Sequence, residues 1–302
     1  MRAVRFGRFG GPEVLEIVDL PDPRPGAGEI RVRVRAAGIN ASDWKKRRGL
    51  IDRELELPRT LGHEAAGIVD EVGDDVSGVA VGDRVLGVSP YGAAQAELAV
   101  LSSWAPVPDS LDWARAAAIP AAAETAARAL DQLGVAAGST VLVSGASGSV
   151  GSAAVQFAVA RGAHVIGTGS PGTHAALRAL GAEAVAYGAG MPDRVRALAP
   201  GGVDLALDVA GSGVLPELVE LTGAPERVLT VADFRGARRT GVRFSRGDTG
   251  RATYALDRAA RMAGAGRFSV PVGRTFPLPE VADAHRVGET GTVRGKLVLL
   301  VG

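Results

Sequence analysis

Gly145, Gly148 and Gly151 recur at intervals of three after the apolar stretch 140–144, and they open an Ala-rich segment that begins at Val150. Between a strand and a helix, glycines so spaced permit a tight turn, a close approach of backbone to a pyrophosphate, and tight packing of helix on strand. The helix start, with Ser147, Ser149 and Val150 around it, offers free N–H groups to an anion. The chemistry this pattern serves is dinucleotide binding. Where an NAD site usually ends its next strand with Asp or Glu, this chain has Thr168, Gly169 and Ser170. Without that carboxylate a ribose 2′-phosphate is not repelled, and Ser170, Thr173, His174 and Arg178 are potential donors to one. The expected cofactor is NADPH.

A second polar group comprises Asn40, Asp43 and Lys45, followed by His63 and Glu64. The chain contains no cysteine, which removes disulfides, thiolate nucleophiles and every zinc site that uses sulfur. His164, His174 and His285 show no ligand spacing with His63. No metal is expected.

The elements that must position these residues fall into two textures. Up to about residue 120 the pattern is short and β-like, with strands expected at Ala3 to Phe6, Val14 to Val18, Glu29 to Ala37, Gly67 to Val72, Arg84 to Val88 and Ala94 to Val100. From Pro120 onward, apolar strands alternate with Ala-rich helical stretches: strands at Thr140 to Ser144, His164 to Thr168, Ala184 to Tyr187, Val203 to Asp208 and Arg227 to Val231, with helices between them. Such alternation builds a parallel, doubly wound sheet. After a helical stretch at Thr249 to Ala263, strand-like segments at Phe268 to Val272 and Lys296 to Val301 return to the first domain. The expected division is 1–120 with 267–302, and 121–266.

The 302 residues carry 34 Lys+Arg against 33 Asp+Glu, a formal charge of +1 that argues against a nucleic-acid partner. Hydrophobic residues are 46% and charged ones 22%, an ordinary globular balance. The N-terminal stretch lacks the apolar core of a secretory signal, and runs such as Leu297 to Val301 are too short to span a bilayer. A cytoplasmic protein with no membrane partner is expected.

Several motifs in order then carry a resemblance. The opening residues 1–23 look like a first hairpin, Gly38 to Lys45 resembles a "GxNxxDxK" loop, and Gly62 to Gly67 a "GHExxG" turn. Gly82 to Val85 matches "GDRV", and Gly295 to Leu299 the closing "GKxVL" strand. Together with the glycine turn, these resemble the medium-chain dehydrogenase/reductase superfamily, in particular its zinc-independent quinone oxidoreductase and enone reductase branch. The resemblance implies an α/β chain with a GroES-like β-rich catalytic domain, a Rossmann domain and an active-site cleft between them. It implies that Asn40 and Lys45 face nicotinamide and substrate, with Tyr91 a further candidate. It also implies cofactor contacts at Thr125, Val209, Ala210, Val231, Ala232 and Lys296, and a homodimer paired through a sheet edge. Zinc-using relatives place a Cys where this chain has Asn40.

Without a Lewis acid, reduced nicotinamide still delivers hydride to a carbon made electrophilic by conjugation, in an enone, an enal or a quinone. The charge that develops on the carbonyl oxygen then calls for preorganised donors. Reductive tailoring or cyclisation of a larger natural product uses the same chemistry in a wider pocket. The other readings are a zinc alcohol dehydrogenase and a non-catalytic nucleotide-binding protein.

Overall fold

The alternation of Ile30, Val32 and Val34 with Arg31, Arg33 and Arg35 buries one face of a strand and leaves the other to water. That strand organises the first of two units in the computed structural model, which describes residues 1–51, 54, 56–247 and 250–302. The first unit is Met1–Ala121 with Leu256–Gly302, and the second is Ala122–Ala255.

The first unit contains β1 (Arg2–Phe6), β2 (Leu15–Asp19), β3 (Ile30–Ile39), α1 (Ala41–Arg47), β4 (Arg59–Thr60) and β5 (Glu64–Val72). It continues through β6 (Arg84–Val88), β7 (Leu98–Leu101), β8 (Ser103–Pro106) and α2 (Trp113–Ala118). Helix α3 (Pro120–Leu133) leads into β9 (Thr140–Ser144), α4 (Ser149–Ala160), β10 (His164–Gly169), α5 (His174–Ala179), β11 (Glu183–Ala186) and α6 (Met191–Leu198). There follow β12 (Leu205–Asp208), α7 (Leu215–Thr222), β13 (Val228–Thr230), α8 (Phe234–Thr240) and β14 (Arg243–Phe244). Helix α9 (Tyr254–Gly264) precedes β15 (Val272–Pro277), α10 (Val281–Thr290) and β16 (Lys296–Leu300).

Among the described residues, the main sheet of the first unit runs β15-β16-β3-β5-β6-β8, with β7 also on β3, and a smaller sheet runs β2-β1-β4. Every pairing in both is antiparallel except β15 with β16. Their core gathers Phe6, Ile30, Val32, Leu101, Phe276 and Leu299. This is the GroES-like unit. The second unit's sheet is parallel throughout, in the order β11-β10-β9-β12-β13-β14. Buried Val141, Leu142 and Val143 at its centre reflect a strand covered on both faces. The order reverses between β9 and β12, the switch point at whose carboxyl end ligands bind in Rossmann sheets. No helix among the described residues is long and apolar enough to cross a membrane.

Two expectations need correction. The strand expected at Phe268 to Val272 is β15, because pairing with β16 starts only at Val272, opposite Lys296; Phe268 and Val270 are buried without a ladder. The strand expected at Ala94 to Val100 is regular only from Leu98, and Ala96 makes an isolated bridge to Ala3. The two units divide at Leu256, within the first turn of α9. Thr249, the expected start of that helix, lies outside the described residues.

One buried histidine belongs to this fold. His285 on α10 is fully buried, edge-on to Trp44 of α1 at 6.3 Å, and neither ring nitrogen has a hydrogen-bond partner among the described residues. Beside it Arg47 ion-pairs with Glu289, one turn further along α10. Burial, and then the Arg47 charge, push the imidazole down to about 3. The unfolded chain binds this proton first, so the contribution is complete above about pH 6.5 and is lost as pH falls toward 3. His285→Leu is therefore expected to match or exceed the parent at neutral pH and to flatten the acid limb. Urea midpoints at neutral pH and at about pH 4.5 would check this, and parallel losses in both proteins would contradict it.

Candidate active site

Sheet register brings Asn40, Glu64 and Lys296 together in the first unit. Strand β16 lies on β3 with Leu297 opposite Ile39, which sets Lys296 beside Asn40, just past the end of β3. Strand β5 lies on β3 with Ala65 opposite Ala37, which sets Glu64 against Gly38. A Cβ at Gly38 would overlap the Glu64 carboxylate, so glycine lets that side chain fold across the strand.

Lys296 Nζ donates to Asn40 Oδ1 at 2.6 Å and ion-pairs with Glu64 Oε1. Asn40 Nδ2 donates to Glu64 Oε1 at 3.1 Å, and the Ala121 N–H in the first turn of α3 donates to Oε2 at 2.7 Å. Lys296 is 4% exposed and Glu64 0%, so the pair is matched inside the protein rather than by water. The ammonium at Oδ1 fixes the orientation of the Asn40 amide. One of its two N–H groups goes to Glu64, and the other has no acceptor among the described residues.

Asn40 also caps α1. Its backbone N–H donates to Asp43 Oδ2 at 2.8 Å in a capping-box arrangement. Gln95 Nε2 lies 3.4 Å from the same oxygen. Burial pushes the Asp43 carboxyl up to about 6, against the pull of the Asn40 N–H and of the Lys296 and Lys46 charges. The basic run after Asp43 then splits three ways. Lys46 Nζ stands 3.2 Å from His63 Nε2, Arg47 turns inward to Glu289, and half-buried Lys45 has no ion pair among the described residues.

Tyr91 is not brought to Asn40. It is 56% exposed and its hydroxyl donates to Glu29 at 2.8 Å, which holds the phenol above its usual range. Its ring helps line a small crevice with Asp43, Lys46 and His63.

In the second unit the glycine turn is held by Thr168. The Gly145 N–H donates to Thr168 Oγ1 at 3.0 Å and the Ala146 N–H to its carbonyl at 3.0 Å, so this hydroxyl clamps the turn. Gly145 has φ +82°, and a Cβ on Gly151 would overlap the Gly145 carbonyl, so neither position accepts a side chain. Gly148 caps α4, and Ser147, Ser149 and Val150 are half-buried around its first turn. The first N–H groups of such a helix have no intrahelical acceptor. Past Gly169, Thr173 Oγ1 donates to the Ser170 carbonyl at 2.7 Å and His174 Nε2 lies 3.2 Å from the Gly169 carbonyl. His174 is thus tied to the strand end.

The loops after β12 and β13 share one buried hub. Asp208 Oδ1 accepts the N–H groups of Ala210 and Gly211 at 3.1 Å, and Oδ2 accepts the Thr230 hydroxyl at 2.8 Å. Thr230 Oγ1 in turn accepts the N–H groups of Ala232 and Asp233 at 3.1 Å. Val209, Val231 and Ala232 are half-buried and Ala210 is exposed at this edge. Thr125, half-buried on α3, donates to Glu124 at 3.4 Å.

Sequence reasoning missed the burial of Lys296, whose side chain lies on Glu64 and Asn40. It also missed Thr230, for which a lone Thr in a short strand gives no signal. Tyr187 was read as the end of a strand. It lies just past β11, is 66% exposed, and follows Ala186, which pairs with Gly169; an aromatic at the carboxyl edge was the available clue.

Two family models match the chain, the alcohol dehydrogenase GroES-like domain over residues 26–103 and the zinc-binding dehydrogenase over residues 180–299. The residues present do not fit a zinc ion. Among the described residues no group of three or more His, Cys, Asp or Glu is arranged to hold a metal, and ammonium groups already stand against Glu64 and His63. The quinone oxidoreductase of Rattus norvegicus is 42% identical over 172 residues, 56% of this chain and about half, 52%, of the rat protein. Among solved structures, Escherichia coli quinone oxidoreductase complexed with NADPH has a TM-score of 0.86 at 25% identity, with 99% of this chain and 100% of that one covered. The quinone oxidoreductase of Sus scrofa is 32% identical over 323 residues, 100% of this chain and 98% of the pig protein. Matched along its whole length in this way, the chain belongs to the medium-chain dehydrogenase/reductase superfamily, in its quinone oxidoreductase branch.

Proposed function

We propose that the chain is an NADPH-dependent oxidoreductase that reduces a conjugated carbonyl compound, an enone, an enal or a quinone, without a metal. The observation that carries this reading is the Asn40 amide, oriented by Lys296 and Glu64 with one N–H left over for a substrate oxygen. When bound, the reduced nicotinamide supplies hydride to the electrophilic carbon of the substrate. Asn40 then donates to the oxygen on which charge develops, and its hydrogen bond is preorganised because both ends of the amide are held. Lys45 serves as the nearby cation, since its neighbours Lys46 and Arg47 are committed elsewhere. The turn from Gly145 to Gly151 holds the pyrophosphate with the first N–H groups of α4. Preference for NADPH rests on the absence of a carboxylate at Gly169 and Ser170, and the NADPH complex of the Escherichia coli relative supports it.

The test is oxidation of NADPH, with NADH in parallel, against a panel of enones, enals and quinones using chelator-treated protein. NADPH turnover that survives the chelator is expected, with Asn40→Ala lowering kcat by about 10²- to 10³-fold and Lys45→Ala lowering it less. Cofactor binding with no turnover on any substrate, or activity that disappears with the chelator, would contradict the reading.

The support beneath Asn40 gives a separate stability prediction. Lys296→Met leaves Glu64 charged and unmatched in the interior and is expected to cost about 3–5 kcal/mol in urea unfolding. Adding Glu64→Gln should recover a substantial part of that loss. Purely additive losses in the double variant would show that the pair is not coupled.

A further inference from the structure

Asp208 is wholly buried at the end of β12, and the ladder sets it between Ser144, the last residue of β9, and Thr230, the last of β13. In every hydrogen bond it makes among the described residues it is the acceptor. Oδ1 takes the N–H groups of Ala210 and Gly211, and Oδ2 takes the proton of Thr230, whose own oxygen accepts from Ala232 and Asp233. A carboxyl group met only by donors is in its ionised form. Glu64 in the first unit has Lys296 against it, whereas no Lys, Arg or His of the described residues ion-pairs with Asp208. Its charge is held in the interior by neutral donors alone.

That charge lies where the strand order reverses, beneath two loops in close contact. A Cβ on Gly145 would fall 3.0 Å from Ala210 Cβ and 3.2 Å from Val209 Cγ2, so the loop after β12 abuts the glycine turn. A Cβ on Gly211 would fall 3.0 Å from Ala232 Cβ, so the loop after β13 abuts the loop after β12. With the pyrophosphate at the glycine turn and the adenosine ribose at Gly169 and Ser170 beyond β10, the nicotinamide half of a cofactor falls on the other side of the reversal, toward β12 and β13. The neighbouring charges are closer to water: Arg235, Arg238 and Arg239 of α8 are exposed, and Asp233 is half-buried. Solvent and salt screen such groups, while a buried charge acts through a medium of low dielectric.

We propose that the uncompensated charge of Asp208 favours the oxidised, cationic nicotinamide over the neutral reduced one, and so makes the bound cofactor a stronger hydride donor. Transfer breaks the C4–H bond of the reduced ring and forms a C–H bond at the electrophilic carbon of the substrate. The displaced double-bond pair goes to the carbonyl oxygen facing Asn40, a proton from water completes the product, and the ring is left positive. A negative charge fixed in advance under the site of that developing charge costs no reorganisation at the moment of transfer. Buried beneath the loops, Asp208 acts through its field and through the N–H groups it holds, as a positioning residue. The inference rests on the cofactor assignment of the reductase reading above.

The experiment measures dissociation constants for NADP+ and NADPH, by titration calorimetry, in the parent, Asp208→Asn and Thr230→Val. The first variant removes the charge and keeps the shape, while the second removes a hydroxyl from the same hub and keeps the charge. In Asp208→Asn the ratio of Kd for NADP+ to Kd for NADPH should rise about tenfold, which for a two-electron couple raises the bound potential by about 30 mV. In Thr230→Val both constants should weaken by a common factor, with the ratio of the parent retained. Asp208→Ser serves as a further variant if the amide impairs folding, and should move the ratio in the same direction as Asp208→Asn. A ratio that stays unchanged when the carboxylate is removed, or that moves equally in Thr230→Val, would overturn the inference and leave the reductase reading standing. A shifted ratio with no turnover of any substrate would support the inference and refute the reductase reading. Failure of the parent to bind either nucleotide would overturn both.

Discussion

A lysine that is 4% exposed needs its charge matched by the protein, and the arrangement of the first unit around Lys296 follows from that need. Glu64 supplies the charge, and its own remaining oxygen is satisfied by the Ala121 N–H at the start of α3. Gly38 leaves room for the carboxylate. Register between β16 and β3 delivers the ammonium to Asn40, and the amide is then held at both ends. A substituent that disturbs any one of these contacts reaches the others, since a buried polar network is worth most when every member is satisfied.

The second unit uses a similar device, with hydrogen bonds and no buried ammonium partner. Thr168 secures the glycine turn, while Asp208 and Thr230 together secure the loops beyond β12 and β13. These side chains sit at the last or next-to-last positions of their strands, so the carboxyl edge of the sheet is braced from beneath by hydrogen bonds to loop N–H groups. Loops of this kind are short and glycine-rich, and they would otherwise sample many conformations. Bracing them lowers the conformational cost of binding a long, flexible ligand across the edge.

Much of this was readable in the sequence. The strands and helices of the second unit fall close to their expected places because parallel strands buried on both faces leave continuous apolar runs, such as 141–143, and the glycine spacing marks one strand-to-helix turn. The first unit was less legible. Asn40 and Asp43 carry a helix-capping pattern, yet the stretch reads as a loop because the seven residues of α1 are too few to show an apolar helical period. The stretch Phe268 to Val270 alternates in burial like a strand, but pairing depends on a partner that local pattern does not reveal. The role of Lys296 was hidden for the same reason: nothing near it in sequence indicates a carboxylate across the sheet.

The contact between Asn40 and Lys296 joins residues 256 positions apart, with the whole second unit intervening. The entropy of closing such a loop rises only with the logarithm of its length, roughly 0.6 kcal/mol per doubling. The contact that holds Asn40 in place is therefore thermodynamically tolerant of insertions and deletions within the second unit. Gain or loss of a surface segment there leaves the closure cost of this pair nearly unchanged, and the two halves of the chain are free to diverge in length at different rates.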